Sequence, residues 1–178
     1  MAEAGPSRRR AAPAAVRLGV EVVRYDDAWS KTQISDDMLE RAARAAFAAA
    51  PPKRQAAYEV ALVLTGDAEM RVLNRTWGDK DAATNVLSFP ADEDISEPKF
   101  LGDVVLALET VHKESREQDI PLEDHVAHLV VHGVLHLLGF DHASDTESEC
   151  MEAIEREALA ALGIADPYAE TRAAEASS

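Results

Sequence analysis

The feature that most constrains the fold of this chain is an apolar run that carries three histidines and two glycines, residues 132–142 (HGVLHLLGFDH). His132 and His136 are four residues apart, and on a helix this spacing places both imidazoles on one face, with about 5–6 Å between their Cβ atoms. Gly139 can adopt a positive φ and end the helix, so that the chain reverses and brings His142 back to the same point. The sequence therefore predicts a helix that ends in a tight turn, with three imidazoles that converge.

Three converging imidazoles are typical of a metal site. Each ring nitrogen would lie about 2.0–2.1 Å from a zinc ion, and three protein ligands leave the fourth tetrahedral position to water, as in catalytic zinc sites. The alternative is that the histidines are core residues bonded to backbone carbonyls, which is the better interpretation for a single histidine on an apolar helix. Three histidines at this spacing favour one Zn²⁺ ion bound by His132, His136 and His142, although nickel, cobalt or copper could take the same ligands.

The spacing is similar to the H-x-x-x-H-x-x-G-x-x-H zinc sequence of metallopeptidases, with one decisive difference. Those enzymes have a glutamate directly after the first histidine as general base, whereas this chain has Gly133. A metal can still lower the pKa of bound water to about 7 without that carboxylate. The sequence therefore favours metal-dependent hydrolysis and makes a metallopeptidase the weakest alternative.

Length and composition indicate one domain with short tails. The 178 residues are 47% hydrophobic, which suffices for a core, and the single cysteine excludes an internal disulfide and favours the reducing cytoplasm. No apolar run is long enough to suggest a membrane span. We expect a flexible tail over residues 1–15, a metal-binding domain over residues 16–165 and a second flexible tail over residues 166–178.

Charge is distributed unevenly along the chain, which bears on its partners. The net charge is −15, but residues 1–90 carry 13 basic and 12 acidic side chains, whereas residues 91–178 carry 5 and 21. The acidic half is most simply a solvated surface, so contacts with a polyanion must come mainly from the first half. DNA and membranes are not expected partners.

Periodicity predicts strands mixed with helices. Strands are expected at residues 16–25, 57–65, 86–89 and 101–108, and helices at residues 36–50, 67–77, 109–118, 121–138 and 145–162. Ser35 and Ser144 are the expected N-caps of the first and last helices. This order predicts an α/β or α+β layered fold with about four strands.

Several motifs together resemble the YbeY family of bacterial ribosomal RNA maturation factors, which are regarded as metal-dependent endoribonucleases. They are HLVVHGVLHLLGFDH at residues 128–142, TNVLSFP at residues 84–90 preceded by Leu73 and Asn74, LGDVV at residues 101–105, and a closing helix at residues 151–162. The resemblance covers about residues 57–163, with the motifs in the family's order.

The resemblance implies an α+β single domain in which a small mixed sheet of about four strands packs with helices, one of them carrying the metal motif. It implies that His132, His136 and His142 bind zinc. It further implies a zinc-dependent endoribonuclease of the single-strand type that acts in maturation of the small-subunit ribosomal RNA 3′ end and in ribosome quality control. The implied partners are ribosomal RNA and ribosome-associated proteins.

The remaining candidate residues concern phosphate binding and proton transfer. The family usually has an arginine in the turn after its Leu-Asn-x-x-aromatic helix, where this chain has Gly78. Arg75 and Lys80 are therefore the candidate catalytic cations, and Asp141 is a candidate general base. The candidate substrate-binding residues are Arg71, Arg75, Lys80, Asn85 and Ser88. Each of these residues also has a structural interpretation, as a solvent-facing side chain or a partner of backbone groups.

Two alternatives to an endoribonuclease remain open. A non-catalytic, zinc-containing ribosome assembly factor is favoured by the absence of a glutamate at Gly133, by Gly78 and by the acidic net charge. A metallopeptidase is disfavoured by Gly133. His128 is expected to support a ligand or to be buried, and His112 and His125 are expected at the surface.

Overall fold

Segments rich in valine and other apolar residues form a four-stranded sheet in the computed structural model, which describes residues 16–78, 80–92 and 97–169. The strands are β1 (Arg17–Arg24), β2 (Ala57–Thr65), β3 (Val86–Pro90) and β4 (Lys99–Ala107), in the order β1-β2-β4-β3. β1, β2 and β4 are parallel, whereas β3 is antiparallel to β4. The predicted small mixed sheet is confirmed, while the tail predicted for residues 1–15 and most of the second tail lie outside the described residues.

Five α-helices accompany the sheet in the described part of the chain. They are α1 (Asp36–Ala49), α2 (Asp67–Trp77), α3 (Leu108–Glu117), α4 (Leu122–Leu137) and α5 (Asp145–Ala161). Ser35 caps α1, and Ser144 forms a capping box with Glu147 at the start of α5, as the sequence predicted. A short 3-10 helix, Asp27–Lys31, was not predicted. None of these helices has the length and hydropathy that a membrane span requires.

The alternation of side chains along β4 divides the core into two layers. Val104 and Leu106 belong to the main core, which includes buried residues of α1, α4 and α5. Val105 and Ala107 point to the opposite face and pack with Met70 of α2. The histidine helix and α2 therefore lie on opposite faces of the sheet.

Helix α4 approaches the sheet closely at Gly133. A Cβ atom at this position would lie 2.5 Å from Cγ1 of Val104 and 3.1 Å from Oγ of Ser88. The Ser88 hydroxyl donates a hydrogen bond to the carbonyl of Gly133 at 3.0 Å, which ties β3 to the helix. Any side chain at this position would force Val104 to shift, and that of a glutamate would begin at the same point of contact with the sheet.

The other face of the sheet carries an acidic pair. Glu21 of β1 and Asp103 of β4 are both in register with Ala61 of β2, so their side chains lie on the same face on either side of the central strand. Burial, and then the charge of Glu21, raise the pKa of Asp103 above its ordinary value. The native state therefore disfavours the ionised form of this carboxylate.

We expect Asp103→Asn to raise the free energy of unfolding at neutral pH. The folded chain holds the Asp103 proton more tightly than the unfolded chain does, so the unfavourable contribution develops as the pH rises from 3.8 through the raised pKa. The variant and wild type should converge as the pH falls toward that lower value. Urea unfolding over a pH series measures the difference, with Asp92→Asn, at an exposed loop position, as the control; equal effects of both substitutions would contradict the assignment.

We expect Gly133→Ala to destabilise the protein by about 1–3 kcal/mol, because the new methyl group would overlap Val104. The sign is informative, since the same substitution in an exposed helix stabilises by roughly 0.5–1 kcal/mol. Urea unfolding gives the free energy, and Val104→Ala in the Gly133→Ala background should recover part of the loss by removing the obstructing methyl groups. A more stable Gly133→Ala variant would be incompatible with the close approach.

Candidate metal centre

The end of α4 carries two of the three histidines, and the turn beyond it brings the third to the same place. Gly139 has φ of +94°, as expected for a glycine that ends a helix. Its N–H donates to the carbonyl of His136 at 3.0 Å, and the N–H of Phe140 donates to the carbonyl of Leu135 at 3.1 Å. These two bonds form a Schellman motif, which reverses the chain and directs His142 toward α4.

The three histidines predicted to converge lie together. One nitrogen from each of His132, His136 and His142 lies within 4.8 Å of the others. The ring centroids are 4.5 Å apart for His132 and His136, 5.1 Å for His136 and His142, and 5.7 Å for His132 and His142. This group, called the histidine trio below, could bind a metal ion.

The hydrogen bonds of the Nδ1 atoms determine which nitrogen is available to a ligand. Nδ1 of His136 lies 3.0 Å from the carbonyl oxygen of Phe140, and Nδ1 of His132 lies 2.5 Å from Oε1 of Glu155. Because these oxygens accept hydrogen bonds, both Nδ1 atoms carry the proton and both Nε2 atoms carry lone pairs. The two Nε2 atoms are 3.0 Å apart. Facing lone pairs at this distance repel each other unless a cation lies between them, so the donor set fits a metal ion.

Burial favours the neutral ring of His136. Desolvation, followed by the neighbouring His132 and His142, lowers the pKa of His136, although the bond to the Phe140 carbonyl acts in the opposite direction. A neutral imidazole is the form that coordinates metals. The lowered pKa of His136 and the convergence of the three rings therefore both favour metal binding by the trio.

Glu155 of α5 belongs to the centre but was not predicted from the sequence. It is 1% exposed, and it accepts hydrogen bonds from His132 at Oε1, from Nε2 of His128 at Oε2 (3.1 Å) and from the hydroxyl of Tyr168 at Oε2. Burial by itself would raise the pKa of Glu155, but these hydrogen bonds outweigh it and lower the pKa to about 2. A signal was available, since a glutamate lies one helical turn from both Met151 and Leu159 on the apolar stripe of the last helix.

A cleft of about 550 Å³ lies in front of the trio, between β3 and the turn after α4. Besides the trio, its lining residues are Asn85, Val86, Leu87, Ser88, Pro90, Gly139, Phe140 and Asp141. Three of the predicted candidates, Asn85, Ser88 and Asp141, therefore lie at the site. Arg71, Arg75 and Lys80 do not line this cleft, and its lining in the described residues includes no lysine or arginine.

The polar side chains of the cleft wall are bonded within the protein. The Asn85 amide donates to Oε2 of Glu114 at 2.9 Å and accepts from the N–H of Val86 at 2.7 Å. Oδ1 of Asp141 accepts from the N–H of His142 at 2.8 Å, which fixes the turn. These bonds, like that of Ser88 to the α4 backbone, agree with the structural interpretation that the sequence left open for each residue.

The basic candidates lie on the α2 side of the sheet. Arg71 forms a bidentate ion pair with Asp81, at 2.7 and 3.0 Å, and this hydrogen bonding lowers the pKa of Asp81. The side chains of Arg75 and Lys80 are exposed. These cations are thus close to the cleft residues in the chain, but Arg71 on α2 pairs with Asp81, and none of the three lines the cleft.

Gly78, at the position where the resemblance described above leads one to expect an arginine, adjoins a buried amide. A Cβ atom at this position would lie 2.3 Å from Oδ1 of Asn74, whose Nδ2 donates to the carbonyl of Ala82 at 2.8 Å. Any larger residue at position 78 therefore requires the Asn74 side chain to move. The amide of Asn74 holds the start of the loop that leads to β3.

Two further histidines differ in how well the sequence placed them. The expectation that His125 lies at the surface is wrong, because it is 5% exposed and its Nε2 bonds to Glu114 at 2.7 Å. His128 is not one of the trio and instead contacts Glu155, in the supporting position that its spacing suggested.

Comparison with known proteins identifies the family. Residues 24–163 match the family described as Endoribonuclease YbeY. This chain belongs to that family. A protein named Endoribonuclease YbeY from Azorhizobium caulinodans is 51% identical over 155 residues, which cover 85% of this chain and 97% of that protein. Another of the same name from Maricaulis maris is 46% identical over 149 residues, covering 84% and 91%.

The fold also has a counterpart among solved structures. The solution structure of TM1509 from Thermotoga maritima matches with a TM-score of 0.51 at 20% identity, covering 84% of this chain and 98% of that one. This likeness confirms the α+β fold. Family membership confirms the prediction of an enzyme of the endoribonuclease class.

We expect the purified chain to bind one zinc ion and His136→Ala to lose most of this binding, because the substitution removes one of three ligands. Elemental analysis after dialysis measures the zinc content. His112→Ala, which removes a histidine outside the trio, should retain the ion. Equal zinc content in the His136→Ala variant and the wild type would contradict the assignment, provided that circular dichroism shows both to be folded.

Proposed function

We propose that this protein is a zinc-dependent endoribonuclease that cleaves single-stranded ribosomal RNA in maturation of the small-subunit 3′ end, and that it acts in ribosome quality control in the cytoplasm. Membership of the YbeY family supports the cleavage of RNA. The observation that carries the metal dependence is the 3.0 Å separation of the Nε2 atoms of His132 and His136, whose Nδ1 atoms both face hydrogen-bond acceptors.

The donor set favours zinc over other biological cations. His132, His136 and His142 offer three nitrogen ligands, whereas Mg²⁺ and Ca²⁺ prefer oxygen ligands in larger numbers. Imidazole suits Zn²⁺, and three protein ligands match the arrangement of catalytic zinc sites. Copper and nickel also accept imidazole, so the identity of the ion rests on measurement of the native protein.

Zinc bound here would supply Lewis acidity toward a phosphate oxygen of the RNA. The protein's own contribution is to hold its donors in place. Glu155 and the carbonyl of Phe140 fix the ring orientations of His132 and His136, so no reorganisation is needed when the substrate arrives.

Asp141 is the proposed general base. It lines the cleft beside the trio, and only its Oδ1 is bonded, to the N–H of His142, among the described residues. The other carboxylate oxygen can take a proton from an attacking water or from an RNA 2′-hydroxyl. The cleft is open enough to admit an unstacked nucleotide, which supports a single-stranded substrate.

Phosphate contacts outside the cleft are assigned to the basic residues at the end of α2 and in the following loop. Arg75 and Lys80 are exposed there, and Arg71 is paired with Asp81. Asn85 and Ser88 shape the wall against which the RNA would lie. Binding of ribosomal RNA through these residues is accordingly expected to weaken with salt.

We expect the zinc-loaded chain to cleave a ribosomal RNA transcript that carries the small-subunit 3′ precursor, and His136→Ala to abolish cleavage. His112→Ala should cleave like the wild type, because the trio is intact. Gel analysis of end-labelled RNA measures the rate. Cleavage that persists in His136→Ala at the wild-type rate would show that the trio is not the active site.

One observation favours the alternative of a non-catalytic assembly factor, namely that no lysine or arginine of the described residues lines the cleft. Under that alternative, a folded His136→Ala variant would restore ribosomal RNA processing in cells that lack the protein. A metallopeptidase has no such support, because the position of its glutamate base is occupied by Gly133 against Val104.

A further inference from the structure

The chain folds back to the metal centre after α5. Gly163 has φ of +76°, and the N–H of Ile164 donates to the carbonyl of Leu159 at 3.0 Å, which reverses the direction of the chain. The carboxylate of Asp166 then accepts from the N–H of Tyr168 at 2.9 Å. Two local turns thus bring Tyr168, from the segment expected to be a tail, against the buried Glu155.

Tyr168 contacts two members of one hydrogen-bonded group. Its hydroxyl donates to Oε2 of Glu155, and its ring lies edge-on to His128, with centroids 5.7 Å apart. The other oxygen of Glu155 accepts from Nδ1 of His132, one of the trio. A single carboxylate therefore connects residues 164–169 to a proposed metal ligand.

We infer that Tyr168 is a positioning residue of the metal centre, which acts through Glu155 to hold His132 with its Nε2 directed at the ion. This inference rests on the proposed metal-dependent function. Glu155 is 1% exposed, so water cannot readily replace a lost hydroxyl partner. Tyr168 and His128 hold Oε2 while His132 bonds Oε1, and together these bonds fix the carboxylate against the His132 ring.

Thermodynamic reciprocity gives the inference a second consequence. If docking of residues 164–169 raises the affinity for zinc by some factor, then zinc binding must raise the equilibrium constant for docking of this segment by the same factor. A residue that merely stabilised the fold would not connect these two quantities. The two can therefore be measured independently.

The first experiment compares zinc affinities by competition with a chromophoric chelator. Tyr168→Phe removes only the hydroxyl and keeps the ring against His128, and we expect it to weaken zinc binding about tenfold. Glu155→Gln should weaken it by about 10- to 100-fold. Tyr25→Phe, at a residue that is 75% exposed, and Glu157→Gln, on the exposed side of α5, are the matched controls and should bind zinc like the wild type.

The second experiment follows hydrogen exchange of the backbone amides in residues 164–169, with and without zinc. Zinc should slow this exchange in the wild type and have a smaller effect in Tyr168→Phe. Zinc binding by Tyr168→Phe as tight as that of the wild type, or exchange in this segment that zinc does not alter, would overturn the inference alone. A wild-type chain that binds no zinc would overturn both the inference and the proposed metal dependence.

Discussion

The contact of Gly133 with Val104 determines where the histidines of α4 point. A helix backbone can approach a sheet this closely only where a side chain is missing, and α4 carries its only glycine at that position. Because successive helical residues are about 100° apart, a glycine directed at the sheet turns its neighbour His132, and His136 one turn later, toward the cleft edge. The Ser88 hydroxyl donates a hydrogen bond to the backbone carbonyl of Gly133. This bond fixes β3, the strand that forms the other wall of the cleft.

The sequence predicted those parts of the centre that depend on local geometry. Helical spacing relates His132 to His136, and a glycine with positive φ relates both to His142, so all three follow from short-range rules. Glu155 and Tyr168 could not be placed in the same way, since their contacts join helices and a returning segment far apart in the chain. The sequence shows that a glutamate lies on the apolar stripe of a helix, but it does not show which histidine this glutamate contacts.

The basic candidates show a second limit of sequence-based prediction. Residues that are close in the chain can lie on opposite faces of the sheet. Arg71 and Arg75 precede β3 closely, yet the strand alternation places α2 on the face opposite α4. Arg71 is committed to Asp81, a residue only ten positions away that the sequence offered no reason to select. His125 was misplaced for a related reason, because its buried partner Glu114 belongs to the preceding helix.

The Schellman turn at Gly139 makes the three proposed metal ligands unequal in how firmly the backbone holds them. His132 and His136 belong to the same helix, α4, whereas His142 is exposed and lies in the turn that follows this helix. An ion would thus bind first to the two imidazoles that the helix already holds together, those of His132 and His136. The imidazole of His142, kept nearby at a high effective concentration, would bind afterwards. Release would begin with the same imidazole, so the stiffness of the turn at residues 139–142 would set the lifetime of a bound ion.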